Sequence, residues 1–334
     1  MARIDTSTMA TSVEIRDYYD KVALVKAIPL LLYRKFAQVR PMPQHQGEVI
    51  RFHRWGTLPL ATTPLQEGIT PEGGKIEKTE LTAKLEQYGY WIPITDRVQL
   101  VAFDPILTEI TEQLGEQQGE TMDELMKNVL MGGSNVIYAG GVTSRAAVAS
   151  KITAADLKKV TRALKQQNAK TLKKILKATT NVSTQGIRES YIAIIHVNTT
   201  QDLEDIDGFV PLEKYASQTG VMEGEVGSYK GIRFIETTRG ANWADAGATG
   251  TSLMSTSGTN ADVYGMLVIA ENAYGEVPLH GGSSGIIIKI HGDGDRSDVS
   301  DPLNQRGSAA WKTMWTGKIL NDNWLIRVEH GVSA

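Results

Sequence analysis

Between Glu48 and Thr95 the chain writes two β-strands separated by a stretch that no compact domain readily encloses. The first strand is Glu48–Trp55, and the second begins near Ile76. Between them lies a loop of about 20 residues with Pro59, Pro64, Pro71 and four glycines; structureless loops of that length are uncommon inside domains and tend to be functional. On the second strand Leu81, Ala83 and Leu85 alternate with Thr82, Lys84 and Glu86, the period of a half-buried strand. At Gln87 the parity flips, and Tyr88, Tyr90, Ile92 and Ile94 share a face. Side-chain direction along a strand has period two, so the flip marks a bulge or a strand passing from one environment into another. A two-stranded hairpin is only marginally stable in water by itself. The segment 46–95 is therefore expected to rest on another surface, a floppy surface loop being the competing reading. Its candidate contact residues are Arg51, His53, Pro59, Pro64, Glu67, Pro71 and Tyr88.

The clearest single element follows. Asp104 is an N-cap and Pro105 the first helical position. Leu107, Ile110, Leu114, Gln117, Thr121, Leu125 and Val129 recur at steps of three and four, and Gly132-Gly133 is expected to close the helix with a C-terminal cap. A helix over 105–131 would be roughly 40 Å long. Its stripe is narrow and interrupted by Gly115 and Gly119, so one side is expected to lie on a sheet. Two glycines and about three heptads argue against a coiled coil. A second helix, 153–169, opens with Thr153 and Asp156 as a capping box and points Leu157, Val160 and Leu164 inward. Residues 151–177 carry nine Lys or Arg against one acid, Asp156, the strongest local charge bias in the chain. Within it Lys158, Lys165 and Lys173 are candidate contacts to DNA or to an acidic neighbour, against the plainer reading of a solvated helix face.

After residue 186 the pattern turns to strands: Tyr191–Val197, Gly231–Thr237, Tyr264–Ala270 and Ile286–His291, separated by Gly- and Ser-rich loops. The last segment reads as a hairpin, with Trp311, Thr313, Trp315 and Ile319 on one strand, Asn321-Asp322-Asn323 as the turn, and Trp324, Ile326 and Val328 on the other. Strands mixed with a few helices, without a βαβ rhythm, give an α+β class. Residues 1–45 read as an arm lying on something else, with a short helix around Val13–Lys26.

Composition bounds the function. Hydrophobic residues at 41% and charged residues at 22% suit a soluble globular chain with a sizeable core. A net charge of -3 gives no global basic signature. The chain has no cysteine, which excludes disulfides and thiolate metal sites. Neither a secretory h-region nor an apolar run of membrane-spanning length is found, so cytoplasmic synthesis and no membrane association are expected.

The search for chemistry returns little. Gly281-Gly282-Ser283-Ser284-Gly285 has the letters of a nucleophile elbow, but Ile286-Ile287-Ile288 follows it as strand where that motif needs a helix. The run Asp293, Asp295 and Asp298 offers oxygen ligands without the spacing or closing Glu of a calcium loop. The six histidines show no zinc spacing, and neither Gly-Lys pair makes a phosphate loop. No catalytic residue, cofactor or metal is assigned.

Several segments together carry a family resemblance. They are Pro59–Pro71, Leu85-Glu-Gln-Tyr-Gly89, Asp104-Pro-Ile-Leu107, Gly231–Thr237, Ala273-Tyr-Gly275, Asp301–Arg306 and Lys318–Asp322. In that order, from about residue 12 to residue 329, the chain resembles the major capsid proteins of the N-four-type phages. The resemblance implies the tailed-phage coat fold named after phage Hong Kong 97. An N-terminal arm (1–45) and an extended hairpin loop (46–95) would precede a peripheral domain with the spine helix (96–190). A mostly axial domain (191–300) and a C-terminal hairpin returning to the peripheral domain (301–334) would follow. It further implies hexamers and pentamers closing into an icosahedral shell around double-stranded DNA, as a virion component assembled in the host cytoplasm. Expected partners are further copies of the chain, a portal and a cement protein. The absence of a long charged helix before residue 46 makes a separate scaffolding protein the expectation. The stretch Lys170–Ser190 is longer than the family pattern, and no covalent cross-link is assigned. Two rival readings stay open: an encapsulin-like nanocompartment shell, and a serine hydrolase using Ser283.

Overall fold

The computed structural model describes residues 31–64, 67–68, 70, 73–95, 106–172, 189–215, 221–250, 252–279, 286–289 and 306–334. In chain order the first strands are β1 (Gln38–Val39), β2 (Val49–Trp55), β3 (Lys78–Lys84) and β4 (Glu86–Thr95). Helix α1 (Ile106–Met131), β5 (Val136–Tyr138) and helix α2 (Ala154–Gln166) come next. Then follow β6 (Tyr191–His196), the short α3 (Thr200–Glu204), β7 (Val210–Pro211), β8 (Glu225–Tyr229), β9 (Ile232–Thr237) and β10 (Ala241–Trp243). The chain ends with β11 (Val263–Ile269), β12 (Tyr274–Pro278), β13 (Ile286–Lys289), β14 (Arg306–Ile319) and β15 (Leu325–His330).

Strands β6 and β11 are apolar at both parities, which is stable only where both faces of a sheet are covered. They lie inside an eight-stranded sheet of order β5-β15-β11-β6-β9-β8-β7, with β10 also paired to β11. One face packs against α2, where Leu157, Val160 and Leu164 meet Ala193, Ile195, Phe234, Val268 and Ile326. Full burial of each such aliphatic side chain stabilises by roughly 1.5–3 kcal/mol. The helix starts as its sequence dictates: the Thr153 hydroxyl accepts from the Asp156 backbone N–H. The other face packs against α1, where Met122, Met126 and Leu130 meet Ile192, Ile194, Ile235, Leu267 and Leu325.

The second sheet is built on β14. Strand β4 runs along one edge of it, β12 and β13 share the other, and β1 adds in parallel to β12. Here the parity flip near Gln87 finds its cause: β3 pairs with β2, and after Leu85 the chain joins β14 as β4. Leu114 of α1 packs against Ile94, Ala309 and Trp311 of this sheet, and the Trp311 indole donates to Gln117 Oε1 at 2.9 Å. Leu114, Met122, Met126 and Leu130 are all buried and stand at multiples of four. Each step of four turns about 40° past a full revolution, so the buried stripe winds around the helix and serves both sheets. From Thr121 onward it departs from the expected stripe by one position: Met122 and Met126 are buried, while Thr121 and Leu125 are half-buried.

Part of the expected arm docks on the chain's own body. Leu32, Tyr33, Phe36 and Met42 are buried. Asp123 of α1 accepts from the backbone N–H groups of Leu32 and Arg34, each at 3.2 Å. The Tyr274 hydroxyl donates to the Tyr33 carbonyl at 2.6 Å. Glu276 accepts from Arg34 Nε at 2.9 Å and from the Trp315 indole at 2.8 Å. Burial pushes the Asp123 carboxyl up, against the opposing pull of those backbone donors and the Arg34 charge. The expected helix Val13–Lys26 lies outside the described residues.

Two expectations are corrected. The C-terminal strands do not form a hairpin, because β14 belongs to the second sheet and β15 sits between β5 and β11 in the first. The turn signal is real, since the Asn321 side chain accepts from the Asn323 N–H at 3.3 Å, but the chain uses it to cross between sheets. The physical reason lies in β15, where Leu325 is buried on the α1 side and Ile326 and Val328 on the α2 side. Such a strand needs cover on both faces, whereas β14 alternates buried Trp311 and Trp315 with exposed Lys312 and Lys318. The second correction concerns Gly132 and Gly133, neither of which has a positive φ. At Gly133 the need is space instead: a Cβ would come within 3.2 Å of Asp322 Oδ1, which accepts the Ser134 N–H at 3.2 Å.

Truncating Met126→Ala at the junction of the two sheets should lower the unfolding free energy of the unassembled chain by about 2–5 kcal/mol in urea titration. A smaller loss would mean that α1 does not bind the sheets together. A pH effect follows from His330, which is fully buried, with Nδ1 2.9 Å from the Gly331 carbonyl and no partner for Nε2 among the described residues. Burial lowers its pKa below the ordinary 6.5. Below that pH the unfolded chain takes up a proton that the folded chain refuses, so stability falls as pH drops toward the folded pKa. His330→Gln should therefore lose less melting temperature than the wild type between about pH 7.5 and about pH 5.5. Equal losses would contradict the assignment.

Candidate assembly surfaces

The hairpin β2–β3 is a separate two-stranded sheet, in register from Val49 opposite Lys84 to Trp55 opposite Lys78. Its base is anchored: Ile50 and Phe52 pack against buried Met42, Leu85 and Val277. Past Phe52 the outer half has no such support among the described residues, and His53, Arg54 and Trp55 are all exposed. The ladder ends where the Gly56 N–H donates to the Glu77 carbonyl at 2.8 Å. Four large apolar residues at this end face water: Trp55 at 65% exposure, Leu58, Leu60 at 88%, and Ile76. Scattered exposed apolar side chains are normal, but several on one thin projection make it a candidate contact surface. The polar edge is mostly self-paired. Glu80 meets Lys78 at 2.7 Å and His53 at 3.5 Å, and the Lys78 hydrogen bond and charge hold its carboxyl below the usual range.

The candidate contacts read from the sequence distribute as follows. Arg51, His53, Pro59, Pro64 and Glu67 are exposed on the hairpin or its tip. Pro71 lies outside the described residues. Tyr88 departs from this group: it sits half-buried on β4, with its ring 6.4 Å from that of Trp315 in an edge-on contact. Burial, reinforced by its 2.7 Å hydrogen bond to Glu86, pushes the Tyr88 phenol up to about 12. The sequence reading missed Trp55, Leu58, Leu60 and Ile76, although large apolar residues flanking a Pro/Gly loop were the available signal. It also missed Tyr90 and Trp91, which are exposed on β4.

The basic helix presents a second surface. Lys158 and Lys165 line one groove of about 460 Å³ together with Thr161, Arg162, Gln166 and Lys230. Arg162 follows Lys158 by one turn, and Lys230 arrives from the β8–β9 turn, a neighbour that no sequence spacing could reveal. Lys173, Ser283 and the Asp293–Asp298 run lie outside the described residues. Among the described residues no group of three His, Asp or Glu side chains could hold a metal ion, and no helix is long and apolar enough to cross a membrane.

Comparison with known proteins bears on the fold and the family. A family model described as phage capsid protein matches residues 78–298, well over half of the chain. The capsid of Ralstonia phage GP4 superposes with a TM-score of 0.67 at 12% identity, covering 97% of each chain. The cyanophage Pam1 capsid gives 0.65 at 14% identity over 100% of both chains. The cyanophage P-SCSP1u capsid gives 0.64 at 16% identity, over 99% of this chain and 95% of that one. No curated protein matches by sequence. With a mixed helix-and-sheet fold shared across its length with phage capsids and a capsid family model over most of its body, the chain belongs to the phage capsid protein family and is a structural coat protein.

Proposed function

We propose that this coat protein closes an icosahedral shell around double-stranded phage DNA, with the hairpin β2–β3 reaching onto a neighbouring copy. The observation that carries the reading is the cluster of exposed Trp55, Leu58, Leu60 and Ile76 at the end of a hairpin whose base alone is anchored. A projection meeting a different patch on the next copy is a heterologous contact, which generates closed rings when its rotation closes. Hexamers and pentamers are the rings proposed. The hairpin β2–β3 is the reaching element, and the spine helix α1 and the β14 sheet, which takes in β4, form the peripheral part. The eight-stranded sheet forms the axial part.

The role is carried out by association, with no chemical step. A separate scaffolding protein, a portal and a cement protein are the proposed partners during assembly in the host cytoplasm. Each subunit contact can be modest, because every subunit makes several. The phage capsid family match favours a DNA-filled virion over an enzyme-filled nanocompartment.

Deleting Leu58–Gly73 should leave a folded subunit with an unchanged melting temperature that forms no shells in light scattering, with scaffold present or absent. The milder double substitution Trp55→Ser with Leu60→Ser should raise the concentration needed for assembly by about tenfold or more, since burying two large side chains contributes several kcal/mol. Shells of normal yield from the deletion would overturn the proposal.

A further inference from the structure

We propose that the groove on the outer face of α2 binds the phosphodiester backbone of the double-stranded DNA that the shell encloses; this rests on the coat reading above. Lys158, Arg162 and Lys165 stand at i, i+4 and i+7, hence on one face of the helix. Their row is about 10 Å long, equal to the axial rise of about three base pairs of duplex. Lys230 adds a fourth cation from the β8–β9 turn and closes the groove of about 460 Å³.

All four cations are exposed. Among the described residues none of them has a carboxylate partner, whereas neighbouring Lys159 pairs with Asp156 at 3.4 Å and Lys151 with Asp202 at 3.2 Å. The helix therefore compensates some of its charges and leaves one row uncompensated, in a chain whose net charge is -3. Lys230 also has φ 44°, a left-handed conformation that Asn or Gly adopts more readily.

The composition of the surface selects the partner. Protein interfaces carry an apolar centre depleted in charge, and phosphate-binding surfaces are polar and strongly positive. None of the exposed large hydrophobic residues lies on α2 or on the β8–β9 turn. The hairpin has the first kind of surface; the groove is walled largely by the aliphatic stems of its basic side chains, and the four cations at their ends give it the charge of the second. Recognition by this row would be independent of base sequence, because it reads phosphates alone.

The test uses the full-length chain below its assembly concentration, with a random-sequence DNA duplex of about 30 base pairs, read by fluorescence anisotropy from about 50 to about 200 mM salt. The variant carries Lys158→Gln, Arg162→Gln, Lys165→Gln and Lys230→Gly, all at exposed positions, and is checked for native circular dichroism. The wild type should bind the duplex at low salt. The variant's log-affinity slope against log salt should be shallower by about 3–4, so its affinity should change about 150-fold less across that range. Its shell yield with scaffold should match the wild type, and its shells should retain packaged DNA less well when heated. An unchanged slope, or a wild type that does not bind duplex, would overturn the proposal. So would a variant that binds DNA normally but fails to form shells, since that result assigns the groove to an acidic protein neighbour. Because binding is read on unassembled chain, a wild type that never forms shells would count against the coat reading without deciding this one.

Discussion

A single helix lying across two sheets is the constraint on which the rest of the structure depends. Helix α1 buries Leu114 against the β14 sheet and Met122, Met126 and Leu130 against the eight-stranded sheet. A straight stripe could serve one sheet only, and the four-residue step winds the apolar row from one to the other. The same helix holds the chain that enters the body, because Asp123 accepts the backbone N–H groups of Leu32 and Arg34. It also holds the chain that leaves β14, because Asp322 accepts the Ser134 N–H just beyond the helix. Asp123 is buried, and a buried carboxylate is stable only when it is paired, so the entering chain and the helix depend on each other.

Against that body the hairpin β2–β3 stands out by what it lacks. The central sheet is covered on both faces, but the outer hairpin has one sheet layer and exposed Trp55, Leu58, Leu60 and Ile76. Its register is set by the body, since β3 continues past Leu85 into β4 and β4 runs ten residues along β14. On the proposed reading, such a subunit folds on its own core and presents the hairpin as its contact. The buried core and the proposed contact are thereby placed in different residues.

How much of this was legible followed from how local each cause was. The α2 boundary was readable because a Thr153 cap and a Leu157, Val160 and Leu164 stripe are properties of adjacent residues. The break between β3 and β4 was readable because side-chain parity records it at Leu85–Gln87. The pairing of β14 and β15 was misread because a turn signal fixes direction but not which sheet receives the next strand. The burial of Leu325 alongside Ile326 and Val328 held that information, as a strand apolar at both parities. The winding of the α1 stripe was missed because two sheets far apart in sequence decide it. At the surfaces, Lys158 and Lys165 were visible as a charge run, whereas Lys230 joined them through the fold alone.

The central claim is that the outer hairpin is a contact surface that becomes buried only in the assembled shell. Amide hydrogen exchange measured on unassembled subunits and on closed shells tests it most directly. The account predicts that amides of residues 53–60 and 76–80 exchange fast in the free subunit and become strongly protected in the shell. Amides of β6, β11 and β15 should be protected equally in both states. Hairpin exchange that is identical in free and assembled protein would contradict the account.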